Sequence, residues 1–165
     1  MLLIANHSAR FATAASCDGI PWRLTLGPLT SEATGQHTAA FVLTNPTKVA
    51  CTLLGYPKIV LLDGRGGRLA FTYSHDGDQM ITKHRPKAVR ISAGGSAYFA
   101  FNKYRCDIRA SAIARVTRVL LPGSHRWLQI RLHRYPVIDY CPAELPSRTI
   151  AVSPIVKTLR EAAAR

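Results

Sequence analysis

Apolar positions along this chain recur at every second residue, in short runs that turn residues interrupt. Trp22, Leu24 and Leu26 alternate with Arg23 and Thr25 before Gly27-Pro28 stops the run. Phe41-Val42-Leu43-Thr44 ends at Asn45-Pro46, and Cys51-Thr52-Leu53-Leu54 meets Gly55-Tyr56-Pro57. Lys58-Ile59-Val60-Leu61-Leu62 is the most continuously apolar run and predicts a central strand. Asp63-Gly64-Arg65-Gly66-Gly67 has hairpin-turn chemistry, and Leu69–Tyr73 is expected to return from it. Further runs lie at 89–91, 97–101, 116–121, 128–132 and 150–152. Period-two alternation with a turn signal every 8–15 residues or so predicts about nine or ten short strands in an all-β, antiparallel sandwich. Helical spacing is confined to 156–164, a short tail helix, and to Cys106–Ala114, where a turn of helix fits. The polar segment His75–Lys87 predicts a long loop. The expected organisation is a leader or linker remnant at 1–16, one domain at 17–155 and a tail at 156–165.

At 165 residues, the chain is long enough for one core without covalent help, since a domain near this size buries roughly 68–70% of its unfolded surface. A hydrophobic content of 47% supplies that core and excludes disorder of the whole chain. No apolar run reaches the ~18 residues that a spanning helix needs.

Charge changes the picture more. Lys and Arg outnumber Asp and Glu by 22 to 9, a formal +13, which gives a positive field attractive to polyanions. The cations cluster: Lys83, Arg85, Lys87 and Arg90 form one group, Lys103, Arg105 and Arg109 a second, and Arg126, Arg131 and Arg134 a third. Lys83, Arg85, Lys87, Arg90, Arg131 and Arg134 are therefore candidate anion contacts. The partner classes they fit are an anionic envelope polymer, a lipid headgroup or another envelope protein. Specific nucleic-acid binding is not expected of an exported chain, although an intracellular nucleic-acid-binding β domain is the alternative that the same charge permits.

The four cysteines, Cys17, Cys51, Cys106 and Cys141, form no C-x-x-C pair, and no His stands near them at zinc-finger spacing. A disulfide framework in an oxidising compartment is the remaining reading. Three connectivities are open, and pairing in order, Cys17 with Cys51 and Cys106 with Cys141, is the favoured one. Each such loop is worth roughly 3–4 kcal/mol of chain entropy. The N-terminus carries only a short apolar run at Met1–Ala5, less than the h-region of about 7–15 residues of a secretory leader. Ala12-Thr13-Ala14 resembles a small-residue cleavage site, so the expectation is that the true start lies upstream.

The remaining polar residues complete no catalytic pattern. Ser96 and Ser124 follow glycines but sit in no G-x-S-x-G elbow. His75, Asp76, Asp78 and His84 are the best metal candidates and would suit a metal-dependent hydrolase, yet D-x-D with one Gly falls short of a calcium loop. Only Glu32, Glu144 and Glu161 are available as glutamates for acid–base work. No phosphate-binding glycine loop is present. The expectation is a protein that binds without catalysing, and without metal or cofactor.

The phrase Phe41-x-Leu43-Thr44-Asn45 followed by Cys51-Thr52-Leu53-x-Gly55-Tyr56-Pro57 resembles the signature of an actinobacterial secreted or lipoprotein domain of unknown function, the domain of unknown function 4232 family. Asp63-x-x-Gly66, Ala93-Gly94-Gly95-Ser96-Ala97 and Val152-Ser153-Pro154 extend the likeness over about residues 17–155. The resemblance implies an immunoglobulin-like sandwich in the cell envelope, two disulfides and no assigned activity. Within the phrase, Asn45, Gly55, Tyr56 and Pro57 carry structural roles: Asn45-Pro46 opens a turn, Gly55 takes a backbone shape closed to other residues, Pro57 sets the start of a strand, and the Tyr56 ring packs inward.

Overall fold

The computed structural model describes residues 15–28, 35–107, 109–133, 136–143 and 145–164. Two nine-residue strands organise it, β2 (Gln36–Thr44) and β7 (Ser96–Tyr104), which pair antiparallel along their whole length. Alternation turns Ala39, Phe41 and Leu43 of β2 and Ala97, Phe99 and Phe101 of β7 into the core, all nearly or fully buried. The Phe41 ring stacks on Phe99 at 4.8 Å and meets Phe101 at 5.3 Å. Around this pair, β1 (Arg23–Leu26) adds to β2, β12 (Thr149–Val152) to β7, and β5 (Thr72–Ser74) to β12. The opposing layer is β4 (Lys58–Leu62), β9 (Val116–Leu120) and β10 (Trp127–Arg131), which contributes Ile59, Leu61 and Val119 to the same core. Two strand pairs complete the frame: β3 (Cys51–Leu53) with β6 (Val89–Ile91), and β8 (Ala112–Ile113) with β11 (Asp139–Tyr140). The chain is thus an immunoglobulin-like sandwich, all-β with short helical turns, and the disulfides Cys17–Cys51 and Cys106–Cys141 cross-link it.

The outward face of the five-stranded sheet is covered too. Its positions next to the cover are small, Ala40, Ala100 and Ala151, and Ile81 and Ala162 fit over them as a second buried cluster. The segment 156–164 is consequently held to the domain. Val156 bridges to Tyr98 and Ala163 to Ile81, with α2 (Leu159–Ala162) between them. Gly77 makes the neighbouring loop possible: its φ is +72°, and a Cβ there would meet the Ile81 carbonyl at 2.8 Å.

Three local expectations need correcting. Residues 69–73 do not form a full hairpin return. One bridge, Leu62 to Arg68, closes the turn, and the chain then crosses to the other sheet, where β5 pairs parallel with β12. The span 106–114 carries no helical turn among its described residues. Its end becomes β8, drawn into pairing with β11. A helical turn, α1 (Leu145–Arg148), forms instead at a Pro-containing stretch that showed no helical spacing.

Candidate functional site

The Asn45 phrase builds a corner. Asn45 is fully buried; its Nδ2 donates to the Val49 carbonyl at 2.8 Å and the Ser92 carbonyl at 3.3 Å, while Oδ1 accepts from the Thr47 N–H and hydroxyl. One side chain thus satisfies a turn that would otherwise carry orphan backbone groups. Gly55 has φ +129°, a Cβ there would press on Pro122 at 3.3 Å, and its carbonyl accepts the Ile155 N–H. Tyr56 does not point into the core. Its half-buried ring stacks on His75 with centroids 3.9 Å apart, because Gly55 turns the chain out of β3 before Pro57 leads into β4.

Three of the four metal candidates, His75, Asp76 and Asp78, are otherwise engaged. Asp78 Oδ1 accepts the Met80 and Ile81 N–H groups, and Oδ2 accepts from Asn102 Nδ2 at 2.7 Å. Asp76 accepts the Ser74 hydroxyl, and burial against Tyr56 lowers the His75 pKa, with Asp76 opposing. Among the described residues, no three His, Cys, Asp or Glu side chains converge on one point.

The basic cluster of the loop is brought together. Arg85, Lys87 and Arg90 line a cavity of about 560 Å³, joined by Lys157 from the C-terminal segment and by His84. Val89, Ile155 and Val156 supply apolar wall. Its one carboxylate, Glu161, accepts the backbone N–H groups of Lys157 and Thr158 through Oε2. Among the described residues, no carboxylate lies within ion-pair distance of Arg85, Lys87, Arg90 or Lys157. The groove therefore exposes four cations to one committed anion. Lys83 lines the adjoining cavity, of about 670 Å³, with Asp78, Thr82 and Tyr104. Arg131 is on β10 and lines neither cavity; Arg134 lies outside the described residues. Lys157 was not legible as part of the cluster, because only the folding back of residues 156–164 delivers it.

Lys103 is a correction to the second basic cluster. Its side chain is fully buried, at the end of the inward row that includes Phe99 and Phe101, and its Nζ donates to Asp139 Oδ1. Asp139 also accepts the Cys106 N–H at 2.8 Å and lies 3.5 Å from His37 Nε2. Burial works against the Asp139 charge, but Lys103, the Cys106 N–H and His37 outweigh it and hold the carboxyl below its usual range. Tyr73 moves the other way, its phenol pushed up to about 12 by burial.

These features define a class: a disulfide-braced β-sandwich bearing a cationic groove. The model of the domain of unknown function family DUF4232 matches residues 23–154, and the chain belongs to that family. No curated protein and no solved structure matches it.

Proposed function

We propose that this chain is an exported, non-catalytic module of the cell envelope that holds a phosphate- or carboxylate-bearing envelope component in the groove formed by Arg85, Lys87, Arg90 and Lys157. The observation that carries the reading is the imbalance of four cations against one carboxylate already committed to backbone N–H groups. Two Arg and two Lys on loop and strand suit an extended anion: guanidinium forks grip phosphate or carboxylate oxygens, and ammonium groups add charge without demanding one geometry. Paired cysteines support an oxidising compartment, since such bridges persist there and are rare in the cytosol.

The test is calorimetric titration with inorganic polyphosphate. Affinity should fall steeply as salt rises, and R85E/K87E should weaken binding by about ten-fold or more at low salt. Unchanged affinity in that variant removes the groove as the site. A random oligonucleotide bound far more tightly than polyphosphate of equal charge would favour the nucleic-acid alternative.

A further inference from the structure

A second surface is independent of the groove and has a different character. In the three-stranded sheet, Ile59, Leu61, Thr117 and Val119 are buried inward, so the intervening positions face out. Register sets these outward residues in rows. Lys58, Leu120 and Trp127 stand side by side; Val60, Arg118 and Gln129 form the next row; Leu62, Val116 and Arg131 form the third. The bridge from Leu62 to Arg68 extends the third row by one more cation. The Arg118 guanidinium lies 5.0 Å over the Trp127 ring, which confirms that the two share this face. Not one of these ten positions is acidic. Among the described residues, no carboxylate lies within ion-pair distance of Lys58, Arg68, Arg118 or Arg131.

We propose that this face docks on an anionic bilayer surface. Three properties select that occupant. Cations at the rim and centre, with no acid, complement an anionic leaflet. The aliphatic residues between them, with Trp127 at one edge, match the boundary between headgroups and acyl chains, where Trp concentrates and where Lys and Arg reach outward from apolar stems. A soluble polyanion would use the cations and gain little from Val60, Leu62, Val116 and Leu120.

Size decides between a membrane and a protein. Three five-residue strands at a spacing of about 4.8 Å and a rise of about 3.4 Å per residue give this face roughly 250 Å². A stable protein interface takes about 800 Å² from each partner, so a second copy or an acidic protein would need far more surface than this. A planar bilayer requires no such complementary area.

Vesicles of phosphatidylcholine containing a third phosphatidylglycerol are the probe, with pure phosphatidylcholine as reference. The chain has two tryptophans, and Trp22 is buried in the core, so an emission change on binding reports Trp127. The expected result is binding to the anionic vesicles with a blue shift, and neither with pure phosphatidylcholine. K58E/R131E should weaken vesicle binding by about ten-fold or more, while R85E/K87E, which changes net charge equally, should retain the blue shift. Lys58 and Arg131 are solvent-exposed, so the fold should tolerate reversal; Q129E, in the middle of the face, gives the same reading if it does not. Equal weakening by the two double variants overturns the proposal, because net charge alone would then explain binding. Vesicle binding without any Trp127 shift also overturns it. Polyphosphate titration of the same variants reports the groove separately, so either site can fail alone.

Discussion

At the scale of single residues, the unusual expenditure is Lys103, an ammonium with no exposed side-chain surface. A lysine there is stabilised by Asp139, which is itself braced by the Cys106 N–H and by His37. Replacing one member of a buried pair strands the other charge, which costs about 3–5 kcal/mol. Asp139→Asn should therefore destabilise the fold by about 3 kcal/mol or more, measured by urea unfolding at neutral pH. The acid response follows from the same contacts. A folded-state pKa below the unfolded one means that the unfolded chain takes up the proton first. The stabilisation is thus full above the ordinary carboxylate range and is lost as pH falls through the depressed value. Unfolding followed from neutral to strongly acidic pH should show a steeper loss in the native chain than in D139N. Parallel curves would mean that Asp139 carries no such linkage. The alternation that places Phe99 and Phe101 inward also places Lys103 inward, two residues on. Grouping it with exposed cations followed charge and ignored strand parity.

At the scale of elements, small residues matter as much as large ones. Ala40, Ala100 and Ala151 leave room on the outward face of the large sheet for Ile81 and for Ala162 of the C-terminal segment. Ala100→Leu should overfill that space and cost about 1–3 kcal/mol. Its signature should be local. The N–H groups of Thr82 and Ala164, bonded to Ala162 and Met80 carbonyls, should exchange with solvent well before those of β2 and β7. Uniform acceleration everywhere would place the damage in the main core instead. The strands themselves were legible, because period-two alternation follows directly from burying one face: Phe41 and Leu43, Ile59 and Leu61, Phe99 and Phe101 all point as the pattern demands. The crossing of β5 to a parallel pairing with β12 was not, since turn chemistry at Asp63–Gly67 announces a reversal without naming the next partner. The groove was half legible. Arg85, Lys87 and Arg90 are near one another in sequence, whereas Lys157 comes from a distance that only tertiary packing closes. The cationic sheet face was hidden for the same reason: its rows exist only once three strands are in register.

At the scale of the whole molecule, the two disulfides close separate stretches of chain, with separations of 34 and 35 residues. Loops of that length constrain the unfolded ensemble by about 4 kcal/mol each. Two such terms are comparable with the total stability of an ordinary domain, about 5–15 kcal/mol, so each Cys pair replaced by Ala should lower stability severely. The bridges differ in their surroundings. Cys17–Cys51 packs within the main core and shares no hydrogen bond with the Asp139 group. Cys106–Cys141 ties the chain just after β7 to the chain just after β11, and Asp139 of β11 grips the Cys106 N–H and Lys103 of β7 across the same gap. Covalent and ionic ties thus hold one junction in duplicate. Interactions that share a junction are not additive, whereas distant ones add within about half a kcal/mol. D139N combined with C17A/C51A should therefore give the sum of the separate losses. D139N combined with C106A/C141A should depart from the sum by about 1 kcal/mol or more, because either lesion alone leaves the other tie in place. Urea denaturation of the six proteins, with the remaining bridge confirmed by thiol titration, measures both cycles, and additivity in the second would show that the ion pair and the bridge stabilise different parts of the fold.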